Sequence, residues 1–95
     1  MKAFSLLLVA ALTGCASEAA FIDACEDRCR RDASCGLIDE ARCVGRCPEE
    51  YREAASWQCR NATMDYYNCV EALPNCAWSA VEWCSDETDV MLEDC

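Results

Sequence analysis

The chain opens with an apolar run, Ala3 to Leu12, preceded by Lys2 and followed by Thr13-Gly14. Beyond Cys15 the pattern changes. Apolar residues recur three and four positions apart among charged ones, the spacing of one face of an α-helix. Cys25 and Cys29 share such a face, and Phe21 and Ile22 extend it toward the N-terminus. Ala33-Ser34-Cys35-Gly36 interrupts the pattern, with Gly36 suited to a loop. A second helix is predicted from Asp39, where Asp39 or Glu40 meets the positive end of the helix dipole. Cys43 and Cys47 repeat the four-residue step beside Val44, and Arg42 and Arg46 take the adjoining strip. Pro48 ends this helix and opens the next, at a position where a missing N–H costs nothing.

Glu49 to Leu73 contains neither Gly nor Pro. Tyr51, Ala55, Cys59, Ala62, Tyr66, Cys69 and Leu73 step by 4, 4, 3, 4, 3 and 4. One long helix is predicted there, with Asn61-Ala62-Thr63 as the place where it would divide. Pro74-Asn75 is a turn signal. A short helix over Cys76 to Cys84 would turn Ala77, Ala80, Val81 and Cys84 inward. Ser85-Asp86-Glu87 then has the composition of a helix start, leading to Cys95 with Val90 and Met91 as apolar contacts. No stretch alternates with period two. The expected fold class is therefore all-α, a small disulfide-rich bundle of helical hairpins with no sheet.

The leading apolar run is too short to cross a bilayer core of about 30 Å, which takes about 20 residues as a helix. With its basic start and small-residue end it reads as a signal peptide. Leu12-Thr13-Gly14-Cys15 closes it, and these four residues resemble a bacterial lipobox. The resemblance implies cleavage before Cys15 and lipidation of its sulfur. Residues 1–14 would then be a lipoprotein signal peptide, 15–20 a lipidated tether and 21–95 the folded domain. Two or more acyl chains give stable anchoring where one gives only marginal residence. The membrane is thus an implied partner, through the lipid on Cys15. Ala16, in place of the aspartate that retains many such proteins at the inner membrane, implies the outer membrane.

Cysteine count takes on meaning in that compartment. Eleven cysteines less Cys15 leave ten, an even number, in an exported chain of about 80 residues that needs covalent support. Two antiparallel helices carrying Cys25-x3-Cys29 and Cys43-x3-Cys47 can be clipped in nested order, Cys25 to Cys47 and Cys29 to Cys43. Residues 21–47 thereby resemble the α-hairpinins, exported peptides with two CxxxC steps on a clipped helical hairpin. In the second half, Cys59-x9-Cys69 and Cys76-x7-Cys84 flank Pro74-Asn75 and partly resemble the twin CX9C hairpin of coiled-coil-helix-coiled-coil-helix domains. Nesting there would join Cys59 to Cys84 and Cys69 to Cys76, leaving Cys35 and Cys95 to tie the halves together. Ten cysteines allow on the order of a thousand pairings, so this is one set among many.

Formal charge is −10 for the whole sequence, with no histidine. Without Lys2 the balance is seven Arg against eighteen carboxylates. Such a surface repels nucleic acid and attracts cations or basic proteins. Catalytic and metal patterns are missing. There is no CxxC or CxC step and no Cys/His mixture of the kind zinc sites use. A redox motif is absent for the same reason, and no histidine is present to activate a nucleophile. Glu49-Glu50, Asp86-Glu87 and Glu93-Asp94 fall at helix ends as solvated charge. Asp86-Glu87-Thr88-Asp89 lacks the glycine and alternating oxygen ligands of a calcium loop. Neither an enzyme nor a cofactor is expected.

Six tyrosines and tryptophans, Tyr51, Trp57, Tyr66, Tyr67, Trp78 and Trp83, are many for this length. Trp57 and Trp78 lie off the apolar stripes and are candidate partner anchors. Two functions of different class follow. One is an anchored interaction module for an envelope protein or glycan. The other, implied by the α-hairpinin resemblance, is a protease inhibitor or toxin-like module presenting Arg30-Arg31 from the first interhelical segment.

Overall fold

A computed structural model describes residues 17–95. Cys15, with the leader and the lipobox, lies outside the described residues. Those described contain helices and turns and no strand. Six helices follow in order: α1 (Glu18–Ser34), α2 (Glu40–Gly45), α3 (Cys47–Glu53), α4 (Trp57–Glu71), α5 (Ala80–Trp83) and α6 (Ser85–Asp94). None is long and apolar enough to cross a membrane.

Local chemistry sets most of the boundaries. Ser17 caps α1 by accepting from the Ala20 N–H at 3.2 Å. The helix consequently starts three residues before Phe21, inside the stretch expected to be tether. At its other end Gly36 takes a left-handed φ of 73°. The Gly36 N–H donates to the Ala33 carbonyl and the Leu37 N–H to that of Asp32, both at 2.9 Å. This paired closure satisfies the last carbonyls and needs a residue that tolerates positive φ. α2 and α3 are nearly continuous, since Arg46 between them keeps helical torsions (φ −88°, ψ −9°). Pro48 sits in the first turn of α3.

The long helix expected from Glu49 to Leu73 is divided, and not at Asn61-Ala62-Thr63. The break falls at Ala54–Ser56. Ser56 is extended (φ −113°, ψ 159°), and its hydroxyl accepts from the Cys59 N–H at 3.1 Å. A capping serine offers the backbone an alternative to a continuous helix. The expected stripe shifts at that break. Ala54 is buried where Ala55 was expected, and Tyr67 and Val70 lie deeper than Tyr66. The short helix expected over Cys76 to Cys84 shrinks to α5, because the Asn75 side chain accepts from the Ala77 N–H and forms a turn first. Ala77 and Val81, expected inside, are exposed.

α4 is the central element, with α1 against one side and α6 against the other. The hairpin of α1 with α2–α3 closes over α4, and the core lies between them. Phe21, fully buried, meets Tyr51 and Tyr67 edge-on at 5.4 and 5.5 Å between ring centroids. Burial of such a ring contributes about 1.5–3 kcal/mol, and edge-on contacts add about 0.5–1.5 kcal/mol each. Around it lie Ala24, Ala54, Cys59 and the two disulfides of the hairpin.

Five disulfides lock this arrangement. Cys25 pairs with Cys47 and Cys29 with Cys43, the nested order of an antiparallel clip. The other three pairings differ from expectation. Cys59 joins Cys95 rather than Cys84, Cys69 joins Cys84 rather than Cys76, and Cys35 joins Cys76 rather than Cys95. The reason is the length of α5. A four-residue helix cannot lie along α4 as the second arm of a hairpin. α6 takes that place, bringing Cys84 at its start to Cys69 and Cys95 at its end to Cys59. Cys76 is left at the turn, within reach of Cys35 at the end of α1.

Candidate binding groove

α4, α5 and α6 enclose a groove of about 730 Å³. Helical periodicity builds its walls. Asp65, Asn68 and Ala72 recur three and four apart along one face of α4, and Asp86 and Val90 four apart on α6. Leu73 and Pro74 close one end. Trp78 and Trp83 form a stacked pair, with ring centroids 4.1 Å apart and planes inclined by 31°. Trp83 is 52 % exposed and Val90 48 %. Glu87 joins Asp65 and Asp86 in the lining, which holds three carboxylates and no basic side chain.

Disulfides fix the groove from two directions. Cys69–Cys84 staples α4 to the junction of α5 and α6, directly beside Trp83. Cys35–Cys76 ties the loop bearing Trp78 to the end of α1. Arg31 completes that tie. Its Nη2 donates to the backbone carbonyls of Asn75 and Trp78, both at 2.9 Å, while Nη1 is 3.1 Å from Asp32. Arg31 is therefore a strut behind the groove, nearly buried at its side chain.

That placement removes the basis for reading Arg30-Arg31 as a protease-facing pair. Both lie within α1, not in an interhelical loop. Arg30 is turned to Glu26 and Asp27 along its own helix at 3.3 and 3.1 Å. Helical backbone does not offer an extended bond to a protease cleft. Trp57 is 64 % exposed at the first turn of α4 and does not line the groove. Of the two tryptophans singled out by pattern, the fold brings only Trp78 to the groove, and its partner is Trp83. Their shared signal in the sequence was weak: two indoles five residues apart, straddling Ser79, whose hydroxyl caps α5 by accepting from the Glu82 N–H.

A second polar cluster sits between α1, α3 and α4. The Tyr67 hydroxyl donates to Glu50. Arg28 lies 3.6 Å from Glu50 and 3.7 Å from Asp32, with its guanidinium 5.0 Å from the Tyr67 ring centroid. Burial, and then the hydrogen bond and charge of Glu50, push the Tyr67 phenol well above its usual range, against a smaller opposite pull from Arg28. The cluster holds the hairpin to α4, although Arg28 Nε finds no hydrogen-bond partner there, and Glu50 and Tyr67 also line an open cavity of about 290 Å³ together with Thr63, Met91 and Cys95. Sulfur atoms of Cys25, Cys29 and Cys47 lie close together, as do those of Cys69 and Cys84 with a Glu87 oxygen. All five sulfurs are in disulfides and have no thiolate to offer a metal.

No protein family, curated protein or solved structure matches this chain.

Proposed function

We propose that this protein is a lipid-anchored interaction module of a bacterial envelope, held to the membrane through Cys15 and engaging a partner through the Trp78/Trp83 groove. The observation that carries the reading is the groove itself. A tryptophan pair, Trp83 exposed and Trp78 half-buried, braced by two disulfides and an arginine strut, spends rigid structure on a surface that the core does not need. Preorganised aromatic surface of this kind suits recognition. The leader and lipobox supply the anchor, and the even thiol count fits an oxidising compartment. The absence of a histidine, together with thiols committed to disulfides, argues for binding rather than catalysis.

Two measurements test it. A palmitate analogue fed to cells should label the protein at Cys15, and Cys15→Ser should give an unlabelled, uncleaved precursor. Normal maturation of the Ser variant would refute the anchor. A photo-crosslinking side chain placed at position 90, an exposed residue of the groove wall, should give a discrete adduct in intact cells that is lost with Trp78→Ala. No discrete adduct at any wavelength or dose would refute the groove as an interaction face.

A further inference from the structure

We infer that the groove's occupant is an arginine-bearing basic segment of a partner protein, a proposal that rests on the interaction-module reading above. The argument is one of complementarity. The walls offer two indoles, and the rim offers Asp65, Asp86 and Glu87, with no basic residue in the lining. An anion is repelled by this rim and by the charge of the whole chain. A neutral apolar segment would leave the three rim carboxylates without a counter-charge. A cation satisfies both features, because indole faces attract cations and carboxylates pair with them.

Arginine fits better than lysine or a quaternary ammonium. Its guanidinium is planar, stacks on an indole and reaches a carboxylate through two parallel N–H bonds. A quaternary ammonium is held by a cage of several aromatic walls. Here the two indoles pack against each other with centroids 4.1 Å apart, so each leaves only its outer face for a planar cation and the pair forms no cage. Capacity points the same way, since about 730 Å³ exceeds one side chain and admits the flanking backbone of a peptide. The Asn68 amide on the same wall supplies a donor and an acceptor for that backbone. The protein already uses this chemistry internally: the Arg60 guanidinium lies 3.9 Å from the Tyr51 ring centroid.

The test uses the full lipidated chain in detergent micelles and a short blocked peptide with two arginines. Its citrulline counterpart, isosteric but neutral, is the control, and a peptidoglycan-derived oligosaccharide is the glycan arm. Tryptophan fluorescence and calorimetry read binding. The arginine peptide should bind, and the citrulline peptide should bind at least about tenfold more weakly, the ratio that a loss of about 1.4 kcal/mol produces. Affinity should fall as salt is raised, because the contacts are exposed and screened. Asp86→Asn with Glu87→Gln should weaken binding similarly while leaving the circular dichroism spectrum intact, and Trp83→Ala should abolish it. Equal binding of the two peptides, absence of binding, preference for the oligosaccharide, or a salt-sensitive self-association that occupies the groove would each overturn the proposal. A position-90 crosslink in cells alongside failure of the arginine peptide overturns the ligand chemistry alone. Loss of the crosslink as well overturns the module reading.

Discussion

Tyr67 shows how one buried side chain couples this fold to pH. Its phenol is held protonated by burial and by Glu50, so its ionisation is pushed above the ordinary tyrosine range. Up to about pH 10 the group is protonated in both folded and unfolded chains and adds no slope. Above that, the unfolded chain releases the proton and the native chain retains it, so stability falls as pH rises toward the folded-state value. The fall should be at most about 1.4 kcal/mol per pH unit. Urea unfolding at about pH 9 and about pH 11 measures it, with Tyr67→Phe expected to show a smaller decline. An identical decline in the variant would assign the effect elsewhere. The pattern of apolar positions placed Tyr66 in the stripe and left Tyr67 unassigned. A tyrosine next to the stripe is ambiguous in sequence, because its depth depends on which neighbours close over it.

At the scale of elements, the decisive residue is Ser56. Its cap satisfies an N–H in the first turn of α4 and so favours a break within the run from Glu49 to Leu73. The break lets α3 lie with α2 across α1 while α4 turns to become the central helix. Ser56→Ala should cost about 1 kcal/mol, as loss of a helix cap does, seen as a lower midpoint in thermal or urea unfolding. Ser56→Asp, which retains an accepting oxygen, should recover most of it. No change in the Ala variant would mean that packing of Ala54 and Cys59 alone holds the bend. A serine amid helix-forming residues is weak punctuation. Gly36 and Pro74 are strong, and those turns were legible in the sequence because each has a backbone geometry that few other residues share.

At the scale of the molecule, disulfide connectivity records which elements ended up adjacent. Peptide mapping without reduction should find Cys25–Cys47, Cys29–Cys43, Cys35–Cys76, Cys59–Cys95 and Cys69–Cys84, with none of the ten alkylatable under denaturing conditions. Detection of Cys59–Cys84 would contradict the placement of α6. Removal of the Cys35–Cys76 bridge in a double alanine variant should destabilise the domain by roughly 4 kcal/mol, since it closes a long loop. It should also weaken groove binding more than removal of Cys29–Cys43, which is remote from Trp78. Equal effects of the two deletions on binding would show that Arg31 alone positions the Trp78 loop.

Helical character, the even set of ten cysteines and the nested clip of the first hairpin were all written in local spacing. A four-residue step puts two sulfurs on one helix face, and a short loop between two such steps leaves one antiparallel order. The second half has no such closure. Nothing in Cys76-x7-Cys84 reveals that Asn75 starts a turn, that α5 stops after four residues, or that α6 folds back along α4. Those events decide the three remaining bridges and bring Trp78, Trp83, Asp65 and Glu87 to one groove. They depend on contacts between residues far apart in the chain, where many arrangements satisfy the same local pattern. Only packing around α4 distinguishes among them.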